Sequence, residues 1–330
     1  MIISDSPAKV QCRPFLHTDD ILKAAKETRG ECHAPFLYRD CVMANTTLRA
    51  YVLEPTATIL PHHFRMRTLP LNQLIACIDN GRSQFVLEAK HLQCLDGDEF
   101  INDDVVNSYF ALLELRSKLD QQYPATVSMS THFFTTFRSC DSISKSCRWL
   151  RKAMAHDCDL CLFPVNVPTG VHWFLAAADF RTYSVTTYNS APMHATLPED
   201  KDIAVVQRIA VILDAFLDAC QKQQTTLRHP RRPWNIQAVH PPAVPPQIGD
   251  VACAVYTACT ADWLSAGRPT ADLQVAYCHS CMPRLRSAWR QFFCACRPKP
   301  ILSSTSVNGI LGDVTSPTHP PAEHAVAKGD

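Results

Sequence analysis

The chain has 330 residues, of which 46% are hydrophobic, with 24 prolines, 16 cysteines and a formal net charge of +1. This is enough apolar material for one full core with extensions, and the near-neutral balance argues against nucleic acid as a partner. With only nine glycines and neither a G-x-G-x-x-G nor a G-K-[ST] run, the common phosphate-cradling loops are excluded.

Met1-Ile-Ile-Ser-Asp-Ser-Pro breaks off before a secretory apolar segment can form, so the chain reads as intracellular, in nucleus or cytoplasm, with reduced thiols. The first 81 residues read as an accessory segment. It carries helical patterns over Asp19–Thr28 and over Leu71–Ile78, the second closed by Asn80-Gly81. Asn45-Thr-Thr matches a glycosylation acceptor that an intracellular chain does not use. Asn102 is set to cap a helix with Asp103 and Asp104 in its first turn and a broad apolar face of Val105, Val106, Tyr109, Phe110, Leu112 and Leu113. Cys158 and Cys161 have metal-like spacing but run into a strand, where two residues three apart face opposite sides.

Residues 172–178 and 183–188 read as two strands joined by Asp179-Phe-Arg-Thr182. Pairing them about Phe180-Arg181 makes partner numbers sum to 361, so His172 stands directly opposite Asn189. Directly opposed residues share a face, with Cβ atoms about 5 Å apart. At that separation an Asn amide holds an imidazole in one tautomer. Ile203 to Cys220 is an amphipathic helix, too charged to span a membrane. Arg228-His-Pro-Arg-Arg232 reads as a solvated basic loop, and the proline-rich 228–246 stretch as an extended connector.

Gln247-Ile-Gly-Asp-Val-Ala-Cys253 then opens a helix with Val255, Cys259 and Trp263 on one face. Asp250 as N-cap would put Cys253 in the first turn, where the helix dipole and an imidazolium lower a thiol pKa by about a unit or more. Gln247 can aim its amide NH2 at an oxygen that turns negative during attack. Cys278, Cys281, Cys294 and Cys296 have a four-ligand zinc spacing. A helix over Pro283–Phe293 would hold the two pairs roughly 15–18 Å apart, so no metal or other cofactor is expected. From Pro298 the chain is polar, proline-rich and without hydrophobic period, and 298–330 reads as a disordered tail.

Four blocks in order carry a resemblance: Leu95-Asp-Gly-Asp-Glu-Phe-Ile-Asn-Asp-Asp-Val-Val-Asn107, Phe133-Phe-Thr-Thr-Phe137, Leu162 to Ser190 around Val171-His-Trp173, and Gln247 to Tyr256. Together with Met282-Pro-Arg-Leu-Arg286, they resemble the ubiquitin-like-protein proteases, the SUMO/sentrin-specific cysteine proteases related to the adenoviral protease. The resemblance implies an α+β fold of the papain superfamily, with an antiparallel-rich sheet flanked by helices, in a catalytic domain over 82–297. It implies Cys253 as nucleophile, His172 as base, Asn189 as orienter in place of the usual Asp, and Gln247 as oxyanion donor. Phe100, Asp103 and Trp173 become candidate substrate contacts, Phe100 and Trp173 as walls of a slot that admits only glycine. The implied reaction is hydrolysis after the C-terminal Gly-Gly of a SUMO- or NEDD8-type ubiquitin-like protein or its conjugates, with no membrane partner. Ala252 and Ala254 depart from the usual Asp and Gly beside the cysteine. Competing readings are a viral or mobile-element processing protease of the same fold, and a pseudoenzyme that binds the tail without cutting it.

Overall fold

The computed structural model describes residues 66–136, 143–166, 172–191, 199–277 and 282–295. The Asp19–Thr28 pattern, the Asn45 acceptor and the whole tail expected over 298–330 lie outside the described residues, as do Cys278, Cys281 and Cys296 of the zinc spacing.

The first described strands correct an expectation. Residues 71–78 hold no helix: β1 (Leu74–Asp79) pairs antiparallel with β2 (Gln84–Glu88). A six-residue strand is too short for its period to separate helix from strand. The turn chemistry decides, because Asn80-Gly81 flanked by apolar runs is a hairpin signal. Gly81 sits at φ 83°, a left-handed conformation that side chains disfavour. Asp79 Oδ1 accepts from its amide at 2.7 Å, and Asn80 Oδ1 accepts from the amides of Arg82 and Ser83. The expected domain boundary at 81/82 falls inside this turn.

After α1 (Ala89–Leu92) comes α2 (Asp103–Leu119), capped as expected by Asn102, whose side chain accepts from Val105 N at 3.0 Å. Its apolar face is buried. Then follow β3 (Thr126–Ser128), α3 (His132–Thr136), α4 (Ile143–Lys152), β4 (Leu160–Asn166), β5 (Trp173–Asp179), β6 (Ser184–Tyr188), α5 (Glu199–Lys222), β7 (Asn235–Val239), α6 (Cys253–Ser265) and α7 (Met282–Ala295).

The five-stranded sheet runs β3-β4-β5-β6-β7. Its central pairs, β4–β5 and β5–β6, are antiparallel, and its rim pairs are parallel. Alternation along the strands divides the core in two. Leu160, Leu162, Trp173, Leu175 and Ala177 join the cluster under α2, α6 and α7. Cys161, Phe163, Val165, Phe174, Ala176, Ala178 and Val185 join the one under α3, α4 and α5. Helices on both faces of a mixed sheet make the expected α+β architecture. Strand β7 lies inside the stretch read as a connector: Asn235–Val239 pairs in register with Ser184–Tyr188, at the sheet edge that tolerates flanking prolines.

The β5–β6 register is also corrected. Leu175 pairs with Tyr188 and Asp179 with Ser184, so partner numbers sum to 363. The turn is two residues longer than read, because Tyr183 takes a positive φ of 52° and Asp179 Oδ1 accepts from the amide of Arg181 at 2.9 Å. Cys158 precedes β4, and so shares one buried cluster with Cys161 despite the spacing.

The basic run at 228–232 is largely neutralised: Arg228 and His229 lie against Asp159, and Arg231 against Asp214 and Asp218. No helix among the described residues is long and apolar enough to cross a membrane.

Candidate active site

The site gathers at the start of β5, where elements from both faces of the sheet converge. His172 immediately precedes β5 and Asn189 immediately follows β6. The two-residue register shift makes them diagonal neighbours instead of direct partners, yet an even shift keeps both on the same face. Their side chains close the gap: His172 Nε2 lies 2.8 Å from Asn189 Oδ1. Since Oδ1 only accepts, Nε2 carries the proton and Nδ1 is left as the basic nitrogen. His172 is 3% exposed and stacks on Phe174 at 6.3 Å.

Asn189 is held on three sides. Its backbone N–H donates to Val239 O at 3.0 Å, which ties it to β7. Its Oδ1 also accepts from Ala191 N at 3.0 Å, and its Nδ2 donates to Asp202 Oδ2 at 2.9 Å. Asp202 stands in the first turn of α5, fully buried, and His240 Nε2 lies 3.6 Å from the same oxygen. Neither Asp202 nor His240 is marked by any local motif, because both reach the site through tertiary packing alone.

Cys253 arrives from the other face as the first residue of α6 and is 1% exposed. The N-cap is Ala252, with no side-chain capping bond, where Asp250 was expected. The amide N–H groups of Trp173, Ala254 and Cys253 itself point at the sulfur, and the Arg286 guanidinium adds positive charge nearby. These favour thiolate, but burial outweighs them and pushes the Cys253 thiol up, against the lowering expected from helix position alone. His172 moves the other way: burial lowers it, opposed by the Asn189 hydrogen bond and the Asp202 charge. Both shifts favour the uncharged forms, thiol and imidazole.

Gln247 lies in the loop before α6, stitched to the Asn189 side of the site. Its N–H donates to Ser190 O at 2.7 Å, and its Oε1 accepts from Ser190 Oγ at 3.5 Å. One proton of its NH2 group goes to Gly249 O at 2.6 Å, which leaves the second for an oxyanion. Tyr256 from α6 donates to Pro246 O at 3.1 Å and holds the same loop against the helix. Arg286 on α7 closes the back of the site by donating to Cys94 O, Gly97 O and Val251 O at 2.7–3.1 Å.

Of the expected substrate contacts, Phe100 is 45% exposed just before α2. Asp103 begins α2 with its carboxylate 3.7 Å from His132 Nε2 at the surface. Trp173 is 4% exposed and packs in the same buried cluster as Cys253. Among the described residues no group of three or more His, Cys, Asp or Glu is placed to hold a metal ion.

The family model for the Ulp1 protease family, C-terminal catalytic domain, matches residues 99–295. A sentrin-specific protease of Caenorhabditis elegans is 28% identical over 176 residues, 53% of this chain and 23% of that protein. Sentrin-specific protease 2 of Rattus norvegicus is 28% identical over 178 residues, 54% of this chain and 28% of that one. The matched region thus spans about a quarter of these relatives' length. Among solved structures, the C-terminal Ulp1 protease domain in complex with Smt3, the yeast ortholog of SUMO, superposes with a TM-score of 0.52 at 15% identity. That superposition covers 73% of this chain and 98% of the other, and establishes the shared fold.

Proposed function

Because the chain belongs to the Ulp1 protease family, through a match to its C-terminal catalytic domain over residues 99–295, we propose that it is a cysteine peptidase acting on ubiquitin-like proteins of the SUMO type. The observation that carries the reading is the His172–Asn189 pair at the start of β5, with Asn189 fixing the imidazole so that Nδ1 is the free base, the neighbouring Trp173 amide pointing at the Cys253 sulfur, and Gln247 bonded to Ser190 beside Asn189. The catalytic unit is taken to begin with the β1–β2 hairpin, since Ile75, Ala76, Ile78 and Leu87 pack in the same core as Cys253.

In this reading the substrate's terminal glycine carbonyl enters beside Cys253. His172 Nδ1 removes the thiol proton as sulfur bonds to the carbonyl carbon. The oxygen becomes negative and is met by the second Gln247 N–H and by backbone amides at the start of α6. Collapse breaks the C–N bond, and the proton on Nδ1 passes to the leaving amine, either a lysine Nζ of a conjugate or the α-amine of a precursor. Water then gives its proton to His172 and attacks the thioester, which frees a carboxylate and the thiol. A neutral resting couple makes deprotonation part of the attack. Phe100 supplies the exposed wall of the glycine slot, and Asp103, three residues on at the start of α2, is a polar contact. Work on SUMO or NEDD8 conjugates in nucleus or cytoplasm belongs to the same reading.

The test is turnover of a SUMO-type precursor ending in Gly-Gly-X, followed by mass spectrometry of the product. Release of X by the unmodified chain, and its loss in Cys253→Ala with folding intact, is the expected result. Cleavage that survives Cys253→Ala refutes the assignment.

A further inference from the structure

An asparagine at position 189 gives the base an acceptor without a charge, and the structure supplies that charge one hydrogen bond further back. An amide side chain has one acceptor oxygen and one donor nitrogen, so whatever binds one end fixes what the other end offers. A carboxylate only accepts. With Asp202 Oδ2 at 2.9 Å from Asn189 Nδ2, the NH2 group must face Asp202 and the oxygen must face His172. Rotating the amide by 180° would set Oδ1 against a carboxylate oxygen and Nδ2 against the Nε2–H of His172, both repulsive.

We propose that Asp202 is a positioning residue of this site: it locks the Asn189 amide, through it selects the His172 tautomer with a basic Nδ1, and places behind the imidazole the negative charge that Asn189 lacks. The proposal rests on the reading of His172 as the base for Cys253. Asp202 fits the role because it is fully buried, so its charge is poorly screened, and because the N-terminal turn of α5 favours an anion there. The opposing influences on His172 agree with it: burial lowers the imidazole, and Asp202 is among the groups that raise it. Among the described residues, this line runs from His172 at one end to His240, 3.6 Å from Asp202 Oδ2, at the other.

This arrangement reverses an expectation drawn from the family's usual residue. If Asn189 were an isolated substitution, Asn189→Asp would be harmless or activating. Here it would set two carboxylates against each other, which cannot both stay ionised at hydrogen-bond distance. The experiment is a charge exchange with three variants: Asn189→Asp, Asp202→Asn, and both together. Two readouts are followed: kcat and KM on a Gly-Gly substrate, and the NMR titration of His172 in a Cys253→Ala background.

Asp202→Asn is expected to lower kcat roughly ten- to a hundredfold at little changed KM. Asn189→Asp alone is expected to lower it by about tenfold or more. The double variant, with the carboxylate moved next to His172 and an amide behind it, should recover to within about threefold of the starting activity. The His172 titration should fall in Asp202→Asn and return in the double variant. An Asn189→Asp variant as active as the unmodified chain overturns the proposal, as does a double variant that merely adds the two losses. If Asp202→Asn fails to fold, the Asn189→Asp result alone decides in the same way. If the chain shows no turnover, the His172 titration still tests the coupling, while Cys253 chemistry is judged by the cleavage assay.

Discussion

The buried thiol and lowered imidazole predict an unusual alkylation profile for Cys253. Burial holds the thiol above its ordinary value despite three amides and Arg286, so the thiol form is favoured at neutral pH. Between pH 6 and 8 the thiolate fraction then grows about tenfold per unit, and the alkylation rate should grow with it, about a hundredfold in all. A preformed thiolate–imidazolium pair would already be near its plateau at pH 6 and would change little over that range. The assay is iodoacetamide labelling at fixed ionic strength, with the rate on the Cys253 peptide read by mass spectrometry. The shape of the profile is the observable, because 1% exposure slows alkylation at every pH. His172→Gln should leave the slope intact, since the imidazole is neutral in the resting site. A flat rate from pH 6 to 8 that turns steep in His172→Gln would refute the reasoning and restore the ion pair.

Two further outcomes follow from packing and access. Arg116 on α2 bonds Asp262 Oδ1 at 2.6 Å, Asp262 O at 3.2 Å and Ser265 Oγ at 2.6 Å, and so clamps the far end of the helix that Cys253 begins. Asp262→Ala leaves a buried guanidinium without its carboxylate and should cost about 3–5 kcal/mol, read as a lower urea midpoint at unchanged slope; a loss below about 1 kcal/mol would show that the pair is not desolvated. Replacing the penultimate glycine of a cleavable substrate by alanine should cost more than about tenfold in kcat/KM, and Phe100→Ala should relax that discrimination. Equal cleavage of Gly-Gly and Ala-Gly substrates by the unmodified chain would remove the slot and favour polyprotein processing.

What the sequence made legible follows how local each signal is. Asn102 and the helix it caps are readable because cap, acidic first turn and apolar face lie within about three turns of one another. The His172–Asn189 partnership is readable for a subtler reason: a register slip of two residues moves both side chains along the strand but leaves them on one face, so the wrong pairing still names the right pair. The slip itself comes from Tyr183, whose left-handed backbone lengthens the turn and is not encoded by its residue type. Asn80-Gly81 carries two meanings, helix stop and hairpin turn, and a six-residue strand gives too little period to choose. Strand β7 exists because β6 offers an open edge, which no property of 235–239 announces. Asp202, His240 and Arg286 are least legible: each is an ordinary charged residue whose role comes entirely from what the fold sets beside it. The thiol pKa belongs with them, because helix position predicts one direction and burial, known only in three dimensions, gives the other.

The most direct test of the account is labelling by ubiquitin-like proteins that carry a C-terminal electrophile after Gly-Gly, read by intact mass and peptide mapping. A SUMO-type probe should add once per chain, at Cys253, and fail to add to Cys253→Ala; adduct on a different cysteine such as Cys158 or Cys94, or none from any member of the panel, would contradict it.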